Sequence, residues 1–137
     1  MIAIKSVKQI TREQADELYR RLPKPDKYIF AIGMETGLRI SDILRLRNRD
    51  VENPLRAWVG RVNAVMSFKL SDWLYNELAN YTAYSISDYL FGSPYHWRRS
   101  MHRVTFHRHI KQALVGLDWD CSAHSIRKFY LIQRLSD

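Results

Sequence analysis

A chain of 137 residues with 22 Lys and Arg against 14 Asp and Glu carries a formal charge of +8, an excess that favours a polyanionic partner, nucleic acid first. Hydrophobic residues at 46% and charged residues at 26% read as one globular domain, long enough to bury a core without metal or disulfide staples. The single Cys121 excludes an intrachain disulfide or a multi-cysteine zinc site and suits a reducing compartment.

The amino-terminal "MIAIKSVKQI" carries Lys5 and Lys8 and no sustained apolar run, so it reads as neither signal peptide nor membrane span, and a soluble cytoplasmic protein is expected. "TREQADELYRRL" opens with Thr11 and Gln14 at capping-box spacing and sets Ala15, Leu18, Tyr19 and Leu22 on one face, so a helix is predicted there, stopped by Pro23. A second helix is predicted from Pro25 or Asp26, with Ile29 and Ile32 inward and Gly37 as a left-handed cap. A third runs from about Arg39 to Leu46 and must bury Ile40, Ile43 and Leu44. "LRAWVGRVNAVMSFKL", rich in Val, Trp and Phe with turn candidates at Gly60 and Asn63, predicts a small antiparallel hairpin or three-stranded sheet. Ser71 then caps a helix striped with Leu74, Leu78 and Tyr81. Another is predicted from about Ser100 to Leu114, closed by Gly116 with Leu117 in a Schellman ending. The last begins after Ser122. The fold class is therefore α+β and mainly helical, in a single domain spanning residues 1–137.

Charge is uneven along this path. Between Gly92 and Leu117 there is no acidic residue, yet "YHWRRSMHRVTFHRHIK" holds five Arg or Lys and four of the five histidines. A solvated helix face explains such a run. So does a surface that tracks the phosphates of double-stranded DNA through Arg98, Arg99, Arg103, Arg108 and Lys111, with Tyr95 and Trp97 against sugars or bases. A metal site from His102, His107 and His109 fits poorly, because their spacing does not bring all three to one helical face; no metal or cofactor is expected.

Two short motifs carry the chemistry. In "AHSIRKFY", His124 and Arg127 stand at i and i+3 near a helix start, so imidazole and guanidinium project from one side. A guanidinium holds a phosphate through two parallel hydrogen bonds, and imidazole exchanges protons near neutrality. In "METGLRISDIL", Arg39 sits at the start of another helix, where an unpaired buried charge is costly. Arg39 either faces a phosphate, or caps a carbonyl or pairs with Glu35 or Asp42.

Together, "ETGLRISDILRLRNRDV" and "AHSIRKFYLIQRL" resemble the two arginine boxes of the tyrosine recombinases, the phage integrase family. The small sheet, "KLSDWLYNEL", "YLFGSP" and the basic helix between the boxes follow the same order. The resemblance implies the family's catalytic-domain fold and a transesterification at a DNA phosphate. Arg39 and Arg127 would then stabilise the pentavalent transition state and His124 would assist proton transfer, with Lys128 near the DNA and no metal needed. It also implies a homo-oligomer on DNA.

The sequence departs from that pattern in several places. The family's last His or Trp box and its nucleophilic tyrosine lie beyond the second arginine, past Asp137, so the domain reads as carboxy-terminally incomplete. Tyr130 takes a position usually apolar or aromatic, and is expected in the core. The family's strand-turn lysine is not evident; Arg61 lies closest to its place and Lys69 is a looser candidate. Lys128 stands where a His often follows the second arginine, and the amino-terminal clamp domain is missing. Three readings follow: a DNA-binding part of a recombinase, unable to cleave alone; a mobile-element regulator that reuses the fold; or a basic helical interaction module.

Overall fold

The computed structural model describes residues 9–96 and 98–136. Lys5, Lys8 and Trp97, which entered the sequence reading, lie outside the described residues. The elements run α1 (Arg12–Arg21), α2 (Asp26–Thr36), α3 (Ile40–Leu44), a 3-10 turn (Asn48–Asp50), β1 (Leu55–Val59), β2 (Ala64–Phe68), α4 (Asp72–Thr82), α5 (Arg103–Ala113) and α6 (Ala123–Ser136).

Helix α2 is the centre. Its run from Tyr28 to Gly33 is buried on all sides, as a helix apolar all round must be. Three helices lay their stripes on it: α1 through Ala15 and Leu18, α4 through Leu74 and Leu78, and α6 through Ile126. Close packing of α6 depends on Gly33, where an added Cβ would lie 2.7 Å from Ile126 Cγ2. That contact fixes the height of α6 against α2, and hence the position of His124 and Arg127.

The helix starts follow local hydrogen bonding. Thr11 and Gln14 form a reciprocal capping box, Ser71 Oγ accepts from the Leu74 N–H, and Ser122 and Ser125 bond each other at the start of α6. Glu35 of α2 accepts from both the N–H and the Oγ of Ser71, at 2.7 and 2.8 Å. This ties the start of α4 to the end of α2.

Strands β1 and β2 form the hairpin of the two sequence alternatives, a two-stranded antiparallel sheet with Leu55 opposite Phe68 and Val59 opposite Ala64, and no third strand joins it among the described residues. One face of β1 is buried through Leu55 and Ala57, but β2 is exposed at four of its five residues. It therefore shows no inward alternation by which strands could be counted. Helix α3 stops at Leu44 rather than Leu46: the Arg45 and Leu46 N–H groups bond the Asp42 and Ile43 carbonyls three residues back, which tightens the turn, and the Leu46 carbonyl accepts from the Leu90 N–H at 3.0 Å. Helix α5 starts at Arg103 rather than Ser100: Ser100 bridges Gly92, and the Met101 N–H donates to the Phe91 carbonyl at 2.7 Å. Its other end stops at Ala113. Gly116 does take a left-handed φ of 88°, but it lies two residues past the cap at Leu114. The Leu117 N–H donates to the Leu114 carbonyl, a separate turn rather than the Schellman pattern.

Candidate functional site

The Thr-Gly pair is a constrained corner. Thr36 Oγ1 donates to the Ile32 carbonyl at 2.7 Å and accepts from the Leu38 N–H at 3.1 Å. Gly37 closes α2 at φ 72°, its N–H on the Gly33 carbonyl at 2.9 Å, a conformation that glycine adopts without Cβ strain. The missing Cβ also leaves room for the Tyr130 ring, whose Cδ2 would lie 2.4 Å from it. Tyr130 is therefore half-buried against the Gly37 backbone rather than in the core, and the adjacent Phe129 fills the core position at 5% exposure.

This corner joins the two motifs. Arg127 Nε donates to the Gly37 carbonyl at 3.0 Å, which aims the rest of its guanidinium past the start of α3. Arg39 occupies that start, in extended backbone geometry with its side chain exposed. Its side chain makes no hydrogen bond or ion pair with the described residues, because Glu35 is held by Ser71 and Asp42 by Arg45 and the Gly60 N–H. The anchor behind it is apolar: Ile40, Ile43 and Leu44 are all buried. At five residues α3 is too short for its dipole to matter much, so any anion here is held by side chains.

Arg39, His124 and Arg127 line one cleft of about 580 Å³, with Arg103 and His107 of α5 on its other wall. No carboxylate among the described residues lines it. A smaller groove of about 190 Å³ lies on the far side of Arg39 and Arg127, lined also by Arg61, Asp42 and Tyr130. Arg61 reaches it because the hairpin turn is fastened to α3 through the Gly60–Asp42 hydrogen bond of 3.3 Å. Lys69, beyond β2, lines neither space. Burial pushes the Arg127 guanidinium below its ordinary pKa, and the charges of Arg39 and Arg61 push the same way against Asp42. Guanidinium stays protonated in proteins regardless. Burial is the larger cause, and the repulsion from Arg39 and Arg61 beside it is the part that an anion would relieve.

The remaining basic residues divide. Arg98, Arg99 and Arg108 are exposed, and Lys128 is half-buried on α6. The backbone around Arg98 and Arg99 is folded by the Ser93 N–H on the Arg99 carbonyl and the Arg98 N–H on His96 Nδ1. Lys111 is paired with Asp120 and reaches the Cys121 carbonyl at 3.4 Å, which joins the end of α5 to the approach of α6. Three of the five histidines have structural work. His96 accepts from the Arg98 N–H, His102 Nδ1 caps α5 by accepting from the Val104 N–H at 3.1 Å, and His109 Nδ1 bonds buried Asp26 at 2.8 Å. Burial pushes the Asp26 carboxyl up and the His109 hydrogen bond opposes it. His102, His107 and His109 thus point to three different surroundings. Burial also pushes the Cys121 thiol up to about 12, which leaves it protonated and unreactive.

No family model matches the chain. A curated relative, the probable integrase/recombinase YoeC of Bacillus subtilis (strain 168), is 30% identical over 122 residues, covering 83% of this chain and 66% of that protein. The chain therefore spans just under two thirds of its relative's length. Among solved structures, XerA recombinase superposes with a TM-score of 0.78 over 93% of this chain and 50% of that one, at 18% identity. The chain has the catalytic-domain fold of the tyrosine recombinases. The lambda integrase catalytic core agrees, with a TM-score of 0.70 over 89% of this chain and 80% of that core, at 14% identity. So does lambda integrase in a tetramer bound to a Holliday junction, with a TM-score of 0.71 over 90% of this chain and 41% of that one, at 17% identity. A tyrosine recombinase fold accounts for the mainly helical chain with one small antiparallel sheet. No helix among the described residues is long and apolar enough to cross a membrane.

Proposed function

We propose that this chain is the DNA-binding part of a tyrosine recombinase acting in site-specific recombination, and that its acid-free cleft holds a phosphodiester of duplex DNA. The observation that carries this reading is the meeting of Arg39, Arg127 and His124 on one cleft, with the Arg39 side chain left unpartnered and Arg127 repelled by its neighbours. Two guanidiniums can bind a phosphate in bidentate fashion and stabilise the charge that builds on it during attack. His124 can move a proton at the attacking or leaving oxygen. Arg61, beside Arg127 on the hairpin turn, takes the place of the family's lysine, with its positive charge toward the leaving oxygen. Arg98, Arg99, Arg103 and Arg108 extend the phosphate-tracking surface. A homo-oligomer on DNA belongs to the same proposal, since lambda integrase is known as a dimer on a core site and as a tetramer on a junction.

Fluorescence anisotropy with a labelled duplex tests it. Binding at low salt with a steep negative log–log slope is expected, since each neutralised phosphate releases counterion. Replacing Arg98, Arg99 and Arg103 together with alanine should flatten the slope by up to about three contacts' worth. Absence of binding at low salt overturns the proposal, and an unchanged slope removes the basic tract from it.

The same reading makes a chemical prediction. The eight tyrosines stand at 19, 28, 75, 81, 84, 89, 95 and 130, and all but the last precede the second motif. Tyr130 lies over Gly37 on the groove side of the arginines. None occupies the nucleophile position beyond the second arginine, so the 137-residue polypeptide alone should bind duplex DNA and form no covalent adduct. Suicide duplexes run on denaturing gels should show no protein shifted by attached DNA. An adduct at any of these tyrosines would contradict the assignment.

A further inference from the structure

Five histidines are present, and the three just described are spent on a turn, a helix cap and a buried carboxylate. His107 and His124 are the two whose side chains make no hydrogen bond among the described residues, and both open onto the same cleft. His107 stands four residues after Arg103 on α5, so the two lie on one helical face. Across from them are Arg39 at the start of α3 and His124 and Arg127 on α6. On its own helix His107 also has Lys111 four residues on, already paired with Asp120. Every titratable or charged group among the described residues lining the cleft is thus basic.

We propose that His107 is a second phosphate-binding imidazole, which pairs with Arg103 to hold a phosphate on the α5 wall and makes DNA affinity depend on pH. This rests on the reading of the cleft as a DNA phosphate site. A bound phosphate accepts hydrogen bonds from a charged imidazole ring and so favours that form. Binding therefore takes up protons, and affinity falls as pH rises through the range in which imidazole titrates. Each linked proton changes affinity by at most about tenfold per pH unit.

The test is duplex affinity by anisotropy from pH 5.5 to 8 at fixed ionic strength, for the wild type, His107→Gln, His107→Lys and Arg39→Ala. The wild type should lose affinity with rising pH at up to about two protons' worth of slope. His107→Gln should remove up to one proton from that slope and weaken binding chiefly at the acid end. His107→Lys, with a charge constant over this range, should keep the acid-end affinity while losing the same part of the slope. If Arg39→Ala weakens binding but both His107 variants keep the wild-type slope, the His107 assignment is wrong and the cleft reading stands. If Arg39→Ala has no effect, the cleft reading itself fails and takes this inference with it.

Discussion

Arg39→Ala is expected to weaken duplex binding by roughly tenfold to a hundredfold, the worth of one or two charge-assisted hydrogen bonds to phosphate. The folded protein should be as stable as before, or slightly more so. The second half of that expectation separates a binding role from a structural one. The Arg39 side chain is exposed and bonds nothing in the described chain, and its charge acts against Arg127. Its removal therefore breaks no internal contact and relieves one repulsion. Arg127→Ala should match the loss of binding but also cost stability, because its Nε bond to the Gly37 carbonyl goes with it. Arg127→Lys should recover only part of either, since an ammonium cannot hold the carbonyl and present a flat fork to phosphate together. Anisotropy for affinity and thermal unfolding for stability, on the same preparations, give both readings.

The second large effect is at the corner itself. Gly37→Ala should destabilise the fold by about 2 kcal/mol, from a left-handed backbone that alanine resists and from a Cβ driven into the Tyr130 ring. For a domain of this size that lowers Tm by roughly 8 °C. Because the Gly37 carbonyl positions Arg127, DNA affinity should drop as well, although residue 37 contributes no charge. Adding Tyr130→Ala should recover the steric part and leave the backbone part. Additive losses in calorimetry would instead mean that the ring and the corner are independent.

How far these residues could be read from sequence depends on whether their placement is local. The caps at Thr11 and Ser71, the glycine ending of α2 and the i, i+3 pairing of His124 with Arg127 are set within a few residues, and they were legible. The inward set of α3 was legible too, through the periodicity of Ile40, Ile43 and Leu44. The opposite wall of the cleft was not. Nothing near His107 in sequence tells that α5 lies across from α3 and α6; that follows from helix packing over long range, including the close approach at Gly33. A glycine inside a strongly apolar helix was the available signal for that approach. Tyr130 was misplaced for a related reason. Helical spacing gives neighbouring aromatics on α6 but does not say that Phe129 takes the core while a missing Cβ at Gly37 makes room for the next ring. The roles of His96, His102 and His109 were not legible, because imidazole serves as cap, acceptor, ion-pair partner or ligand according to neighbours the sequence does not name.

The central claim is that Arg39 and Arg127 share one DNA phosphate, and the measurement closest to it is the salt dependence of duplex binding for the wild type beside the Arg39→Ala/Arg127→Ala double variant. Loss of a single phosphate contact makes the log–log slope shallower by about one. The account predicts that difference, with affinity reduced by at least roughly a hundredfold at low salt. Equal slopes and equal affinities in a folded double variant would contradict it.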